Sequence, residues 1–522
     1  MNAHAFGALI LNELRLRARR VSSLVCLFVA MALVWTLVAD PASGRSLMVI
    51  GKRAVTYNSE ALAMGTSVIA SFLFGMFAFY LARGRTREDL KCGVAGVLAA
   101  SPIGNVPLIL ARWAGAMAFL LVLVAGLMVT MMVLQAVRGV PPIEPLVFAR
   151  TYLLMLLPTL VMAASVAVAA DSYAPLMGKG GDTLYFALWF GQFGLLPSQL
   201  SRVEHIQSAS FASMFDVSGM LVMITRLIEM FNTRGVSIGG GVPDRALAPI
   251  LVTDFWTWEM VLLRLATAAL ASLPLLLAVA WFHRYSPDKV RAMPRGSGTG
   301  WWARLNGIAS LATRLIRPAF GLAQRVPGIA GQCMADAALA LAANPLLFAV
   351  LLALFAAGWM VSPAALPGVA FWAIAIWGIL VSDLAARDAQ SGTDAMSSAS
   401  PGGAQRRYAR QLAVSFLIGL VVVLPAGIRW LAVDPVSSLT LVIGLALIAA
   451  AATLLARLTR GGRTFMGLFL LGLYLSTQLK MVRWFDAFGL YAAADGATRL
   501  TYFAAALVMM ALGWFITRRT LR

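Results

Sequence analysis

The residues that could do chemistry are few and scattered along this chain. The three histidines, His4, His205 and His283, are far apart in sequence and show no metal-ligand spacing. Of the cysteines, Cys26 and Cys333 lie in or beside apolar runs and Cys92 lies in a basic loop, so no disulfide framework is implied. No paired carboxylates and no Ser-His-Asp set appear, and we assign no catalytic residue and no metal site. A phosphate-binding loop would read G-x-x-x-x-G-K-[ST]. The nearest fragment is Met177-Gly178-Lys179-Gly180, which has no hydroxyl after Lys179 and no glycine five residues before Gly178. The chain therefore binds no cofactor of its own and has no engine for hydrolysing ATP.

The elements that position these residues are set by composition. The chain is 60% hydrophobic and only 12% charged, with a mean hydropathy of +0.83. A soluble domain averages about 25% charged residues, so too little polar surface is available to cover a fold in water. A bilayer removes that problem, but the backbone must then satisfy itself, which leaves helices or a closed barrel. The apolar runs are continuous and far longer than the roughly ten-residue alternating strands of a barrel. The net charge of +20 is read as basic loops held on the cytoplasmic side, not as nucleic-acid binding.

Twelve spans are expected: 23–39, 61–82, 107–136, 149–170, 183–200, 258–282, 345–361, 366–386, 411–428, 437–457, 464–481 and 498–517. The first is read as uncleaved, since no A-x-A site comes after it. An even number puts both termini on one side. The loops of that side hold most of the Lys and Arg, including Arg15, Arg17, Arg19, Arg20, Arg83, Arg85, Arg87, Arg406, Arg407, Arg518 and Arg519, which makes it cytoplasmic. A multi-pass protein of a bacterial-type inner membrane is expected, all-α and polytopic.

Few polar residues lie at membrane depth. Arg112, Arg150, Arg264 and Arg499 fall near span ends and are expected to snorkel to headgroups. Gln192 is the interior amide most able to meet a substrate. The long external segment 201–257 includes Met214 to Phe231, read as an interfacial or re-entrant helix in which Arg226 and Glu229 can pair. Gly239-Gly240-Gly241 reads as a flexible turn. Residues 283–328 form a basic cytoplasmic linker with an amphipathic stretch from Trp301 to Arg317 that suits a membrane surface.

One pattern occurs twice. The loop after the second span has Asp89, Gly93, Ala100, Ser101, Pro102 and Gly104; the loop after the eighth has Asp388, Gly392, Ala399, Ser400, Pro401 and Gly403. Both fit D-x-x-x-G-x-x-x-x-x-x-A-S-P-x-G without a gap, at the same topological position. Before each half's first span lies a short helical segment with an acid, Glu13 in one and Asp336 in the other. Six spans separate the copies. The expected architecture is thus two parallel six-helix repeats related by a pseudo-two-fold along the membrane normal. Ser-Pro and glycine end and restart helices, so each loop should hold a short helix across the ends of two spans, with Glu88 and Asp89 near its positive dipole end.

With these features the chain resembles the permease subunit of type-2 ABC exporters. The family has six spans per unit, an amphipathic elbow helix before the first, and a coupling helix between the second and third. The resemblance implies a first unit over 1–282, with elbow 5–20, coupling loop 83–106 and external segment 201–257. After the linker 283–328 a second unit covers 329–522, with elbow 329–343 and coupling loop 387–410. It places ATPase-coupling residues at Arg87, Glu88, Asp89, Gly93, Ser101, Pro102, Asp388, Gly392, Ser400 and Pro401, and elbow contacts at Glu13 and Asp336. It implies separate ATPase subunits, as a dimer carrying ATP and Mg, docking on the cytoplasmic side. Phe282-His283-Arg284-Tyr285-Ser286-Pro287 resembles the family's ending of a six-span unit. The second half departs from the pattern, with Arg387 in place of Glu88 and a short last external loop. Two other classes stay open. A major-facilitator-like carrier also has six plus six spans, and Gly84-Arg85-Thr86-Arg87-Glu88-Asp89 distantly resembles its loop after the second span. An integral-membrane glycosyl transferase or polymerase would need a carboxylate-rich external loop, and 201–257 has only Glu204, Asp216, Glu229, Asp244 and Asp254.

Overall fold

The computed structural model describes residues 3–41, 44–173, 176–177, 179–192, 211–233, 235–283, 285, 312–391, 393, 396, 399, 403–478 and 482–519. The chain divides into two compact units, Met1–Pro294 and Arg295–Arg522. Among the described residues, seven helices are long and apolar enough to cross a bilayer, or up to ten if three sharply bent pairs each count as one. This is a helical, polytopic membrane protein. Of the expected spans, 464–481 coincides with a shorter apolar helix, Arg463–Gln478, and 183–200 runs past Gln192 into residues outside the described set.

In the first unit, α1 (Ala3–Ala18) meets α2 (Val21–Leu37) at a 69° bend. The bend falls at Arg19 and Arg20, where two adjacent charges end an apolar run. A hairpin comes next, β1 (Ser46–Ile50) and β2 (Arg53–Ala54), turning through Gly51 and Lys52, both at positive φ, as a two-residue hairpin requires. It leads to α3 (Ser59–Ala82), α4 (Arg85–Lys91), α5 (Val94–Ala100), α6 (Asn105–Arg138), α7 (Pro145–Ser172) and α8 (Lys179–Gly191). A 3₁₀ turn over Phe211–Phe215 leads into α9 (Met220–Phe231), then β3 (Val236–Gly241), α10 (Trp258–Ala271) and α11 (Pro274–Trp281).

The strand β3 corrects the expected flexible turn at Gly239-Gly240-Gly241. It pairs antiparallel with β1, Val49 opposite Ser237 and Ile50 opposite Val236, giving a sheet of order β2-β1-β3. Close approach explains the glycine at its end, since a Cβ on Gly241 would stand 2.5 Å from Val49 Cγ2. The sheet caps the end of the bundle where α3 begins.

Helices α3 and α7 are the buried centre of this unit, with almost every side chain of α3 shielded. They pack through hydroxyls that satisfy one another: Thr66 with Tyr152 at 2.8 Å, and Ser71 with Thr159 at 2.8 Å. Helix α6 instead leaves Val122, Val129 and Val133 bare along one side, as a lipid-facing helix does.

The second unit begins with a 3₁₀ turn (Ala312–Ile316) and α12 (Arg317–Arg325), both inside the stretch expected as linker. The part of the amphipathic stretch at 301–311 lies outside the described residues. Helix α13 (Gly328–Ala342) meets α14 (Pro345–Met360) at 103°, with Pro345 starting the new helix as proline does at a first helical position. Beyond it lie α15 (Leu366–Ser391), α16 (Gly403–Val422), α17 (Leu424–Val433), α18 (Pro435–Thr459), α19 (Arg463–Gln478) and α20 (Gly496–Arg519). The α16–α17 pair bends by 63° beside Pro425.

The two units share a packing device. In α3, Gly75 receives the Trp189 indole of α8, and Tyr185 donates to the Gly75 carbonyl. In α15, Gly378 receives the Phe469 ring of α19. Each glycine lies on the second expected span of its half and each ring on the fifth. Overfilling such a slot costs about 1–3 kcal/mol. Gly378→Ala should lower stability by that amount in detergent thermal unfolding. Gly368→Ala, also in α15 but with no atom within 4 Å of the added Cβ, should leave it unchanged or raise it by up to about 1 kcal/mol.

Candidate functional site

The loop after α3 folds as two seven-residue helices, α4 and α5, set off by glycines at positive φ: Gly84 at 98° and Gly93 at 72°. Glycine occupies that region at no steric cost, which lets the chain leave α3, turn, and turn again. The short helices are too brief to stand alone; α4 is held by charge, and α5 by the apolar packing of Ala95, Leu98 and Ala99 around Ile109, Val168 and Phe282.

Helix α4 is two-sided. Its inner side carries Thr86 and Asp89, both buried. Asp89 is 2% exposed and is met by three groups. The Arg112 guanidinium of α6 pairs with it, Arg85 Nη2 lies 3.0 Å away, and Tyr285 Oη donates to it at 2.7 Å. Arg112 also donates to Tyr285 Oη and, at 3.2 Å, to Thr86 Oγ1, and it lies over the Phe282 and Tyr285 rings. Burial, with the Asp89 carboxylate beside it, lifts the Tyr285 phenol well above its usual range. It stays a neutral donor. Tyr285 itself adopts φ 60°, a conformation that costs a non-glycine residue about 1–3 kcal/mol and persists only where surroundings impose it.

A second set of charges joins the loop to α1. Glu13 accepts from Arg17 one turn on and from Arg85 Nε at 2.9 Å. Arg17 also donates to the Ala82 carbonyl at the end of α3, where a cation meets the negative dipole end. Burial alone would lower the Arg85 guanidinium, but the carboxylates of Glu13, Asp89 and Glu88 outweigh it and hold it above its ordinary value. Arg20, at the α1–α2 bend, pairs with Glu88. Close packing of α1 on α6 needs Gly115, where a Cβ would stand 2.5 Å from Glu13 Cβ.

The third anchor is Asp171, at the end of α7. Its Oδ2 accepts from the Gly84 and Arg85 amides at 2.7 and 2.9 Å, a carboxylate on the orphan N–H groups of a helix start. Sequence reading missed Asp171 because it sits at the end of an apolar run; its signal was the rarity of carboxylates, 22 in the whole chain.

The outer side of the loop is bare. Glu88 has a side chain 42% exposed, and Leu90, Cys92, Val94 and Val97 face outward, Val97 at 72%. Arg87 lies within α4 and Gly93 at the joint. Ser101 ends α5, its hydroxyl donating to the Leu98 carbonyl at 2.8 Å, and Pro102 comes next as the chain enters α6.

In the second unit, Asp336 of α13 pairs with Arg410 of α16 at 2.5 Å and with Arg387 of α15 at 3.7 Å. Asp388 pairs with Arg407 at 3.8 Å. Gly392, Ser400 and Pro401 lie outside the described residues. In each unit, then, the acid of an early helix, Glu13 or Asp336, meets an arginine at the start of the loop, and the loop's aspartate meets an arginine on the next long helix.

Two of the arginines expected to snorkel, Arg112 and Arg264, require correction. Both are buried inside the first unit, Arg112 against the Asp89 carboxylate and Arg264 against backbone carbonyls. Arg150 pairs with Glu60 at 3.1 Å, and Arg499 donates to the Ala494 carbonyl at 2.9 Å. Gln192 is held by the backbone on either side. It donates to the Trp189 carbonyl at 2.9 Å and accepts from the Ser218 amide at 3.0 Å. Arg226 and Glu229 do pair, at 3.2 Å. Among the described residues no three His, Cys, Asp or Glu side chains are grouped to hold a metal ion.

No family model matches this chain, and no curated protein matches it.

Neighbouring acids should behave differently. Asp89→Ala strands the buried Arg112 charge and should cost about 3–5 kcal/mol. Glu88→Ala, at a half-exposed pair, should cost no more than about 1 kcal/mol. Unfolding of the two purified variants in detergent tests this, and equal losses would contradict the two-sided reading of α4.

Proposed function

We propose that the chain is the transmembrane permease subunit of an ATP-driven exporter of the bacterial-type inner membrane. In this reading two fused six-span units, twelve spans in all, move a substrate when separate partner ATPases close. The observation that carries the reading is the two-sidedness of α4–α5. On one side the loop is bound by charge to α1, α6, α7 and Tyr285. On the other it shows apolar Leu90, Val94 and Val97 beside Glu88, outside any apolar helix long enough to span. A loop exposing apolar side chains where no lipid tail covers them suits a protein partner. A rigid attachment to several helices suits a part that receives force and hands it on. The matching pairs of Asp336 and Asp388, and the matching glycine–aromatic slots, support two units of one design.

The implied mechanism is mechanical. Closure of the ATPases would push α4–α5, and the charges at Asp89, Glu13 and Asp171 would make α1, α3, α6 and α7 move with it. The chain supplies no nucleotide site; ATP and Mg belong to the partner. The major-facilitator alternative gains no specific support from the geometry, since Arg85 and Asp89 are engaged in structural pairs.

Two measurements test this. Affinity capture of the full chain from native membranes should recover an ATPase bearing a G-x-x-x-x-G-K-[ST] loop, and Val97→Asp should abolish that recovery without unfolding the chain. Capture of no ATPase sinks the proposal. Separately, Cys92 is exposed while Cys26 and Cys333 are buried. A membrane-impermeant maleimide should therefore label Cys92 in inverted vesicles and not in intact spheroplasts; the opposite pattern would put the loop on the wrong side.

A further inference from the structure

Pro158 lies inside α7. Proline has no N–H, so the carbonyl four residues earlier loses its helical partner. That carbonyl belongs to Leu154. Left alone, the gap would make α7 a hinge.

Arg264 of α10 fills the gap. Its Nε donates to the Leu154 carbonyl at 3.1 Å and its Nη2 to the Met155 carbonyl at 2.8 Å. The rest of the guanidinium reaches the other way, to the carbonyls of Asp216 and Val217. Arg264 is 1% exposed. An ionised group so placed in an apolar bundle is expensive and by default functional. The segment it holds is itself well ordered: Asp216 accepts from Ser218 Oγ at 2.7 Å and from the amides of Gly219 and Val222 at 2.9 and 3.0 Å. Thr159, next to the proline, adds a bond to the Val217 carbonyl at 3.0 Å.

From Pro158 to Asp171 the helix runs on for about 20 Å. At that far end Asp171 holds the start of α4. One helix thus carries the α4–α5 loop on one end and the Phe211–Phe231 segment at its proline.

We propose that Arg264 is a positioning residue that splints α7 at Pro158, so that the Phe211–Phe231 segment moves rigidly with the α4–α5 loop. An open proline kink would absorb a displacement arriving from α4; a kink bridged by a guanidinium passes it on. The functional meaning, a segment near the sheet that opens and closes in step with the loop, rests on the permease reading. The linkage itself does not, and it can be measured without an ATPase.

The test is amide hydrogen exchange on the full chain in lipid nanodiscs. Asp171→Asn loosens the α4 start and its contact with Arg83 at the end of α3, both far from Pro158. It should speed exchange in α4 and also, by about tenfold, at Gly219 to Val222, as expected when a distant site shares one cooperative unit. In the Arg264→Gln background the second response should vanish. If Asp171→Asn alters α4 and leaves Gly219 to Val222 untouched, the splint is refuted. A second pair covers the case in which Arg264→Gln folds poorly. Pro158→Ala restores the missing N–H, so Pro158→Ala with Arg264→Gln should regain protection along α7. Continued rapid exchange there would show that Arg264 is no substitute for the missing amide. Loss of the linkage would leave ATPase capture unaffected, and failure of capture would leave the exchange result standing.

Discussion

A carboxylate buried in an apolar bundle must find positive charge, and at Asp89 that demand organises the whole loop. Ionised and shielded, Asp89 would cost several kcal/mol unless paired and hydrogen-bonded. Arg112, Arg85 and Tyr285 each meet it, and each brings a different part of the chain. Arg112 brings α6, Tyr285 brings the end of the first bundle, and Arg85 brings α1 through Glu13. A short helix with little intrinsic stability is thereby held at a junction of several elements. Charge pairing also specifies geometry in a way that apolar contact does not, since a guanidinium must face its carboxylate within a few ångströms.

The same device recurs wherever the backbone is broken. Where α4 begins, Asp171 accepts the amides that no helix satisfies. Where Pro158 removes a donor from α7, Arg264 supplies one. Where the chain turns into α9, Asp216 receives the first amides. In lipid an unsatisfied backbone group has no water to fall back on, so ionisable residues at these points are answers to a backbone problem first. Their consequence is rigidity.

Membership of the bilayer-spanning class was legible from the chain itself, because hydropathy and run length are local properties. The long apolar helices Ser59–Ala82, Asn105–Arg138, Pro145–Ser172 and Pro435–Thr459 were legible for the same reason. The loop at 83–106 was legible as a place of interest through its repeated spacing, and Glu13 and Asp336 as acids in helices ahead of apolar ones. The sheet was not. Ser46 to Ile50 is a short apolar run flanked by Gly51 and Lys52, and its partner at Val236–Gly241 lies far along the chain, so nothing local distinguishes it from a loop. Gly239-Gly240-Gly241 reads as slack until Val49 is seen against it.

The division has a physical cause. Sequence alone determined the solvent of this protein, the helical character of its spans and the position of the glycine-punctuated loop at 83–106, all of which depend on residues near one another in the chain. Tertiary structure decided which partner each buried charge takes. Arg112 and Arg264 lie near helix ends, where lipid headgroups would serve as well as any acceptor. Only the packing of α6 against α4, and of α10 against α7 beside Pro158, puts Asp89 and the Leu154 carbonyl within reach. Electrostatic pairing depends on distances between residues tens to hundreds of positions apart, and those distances exist only once the helices have packed.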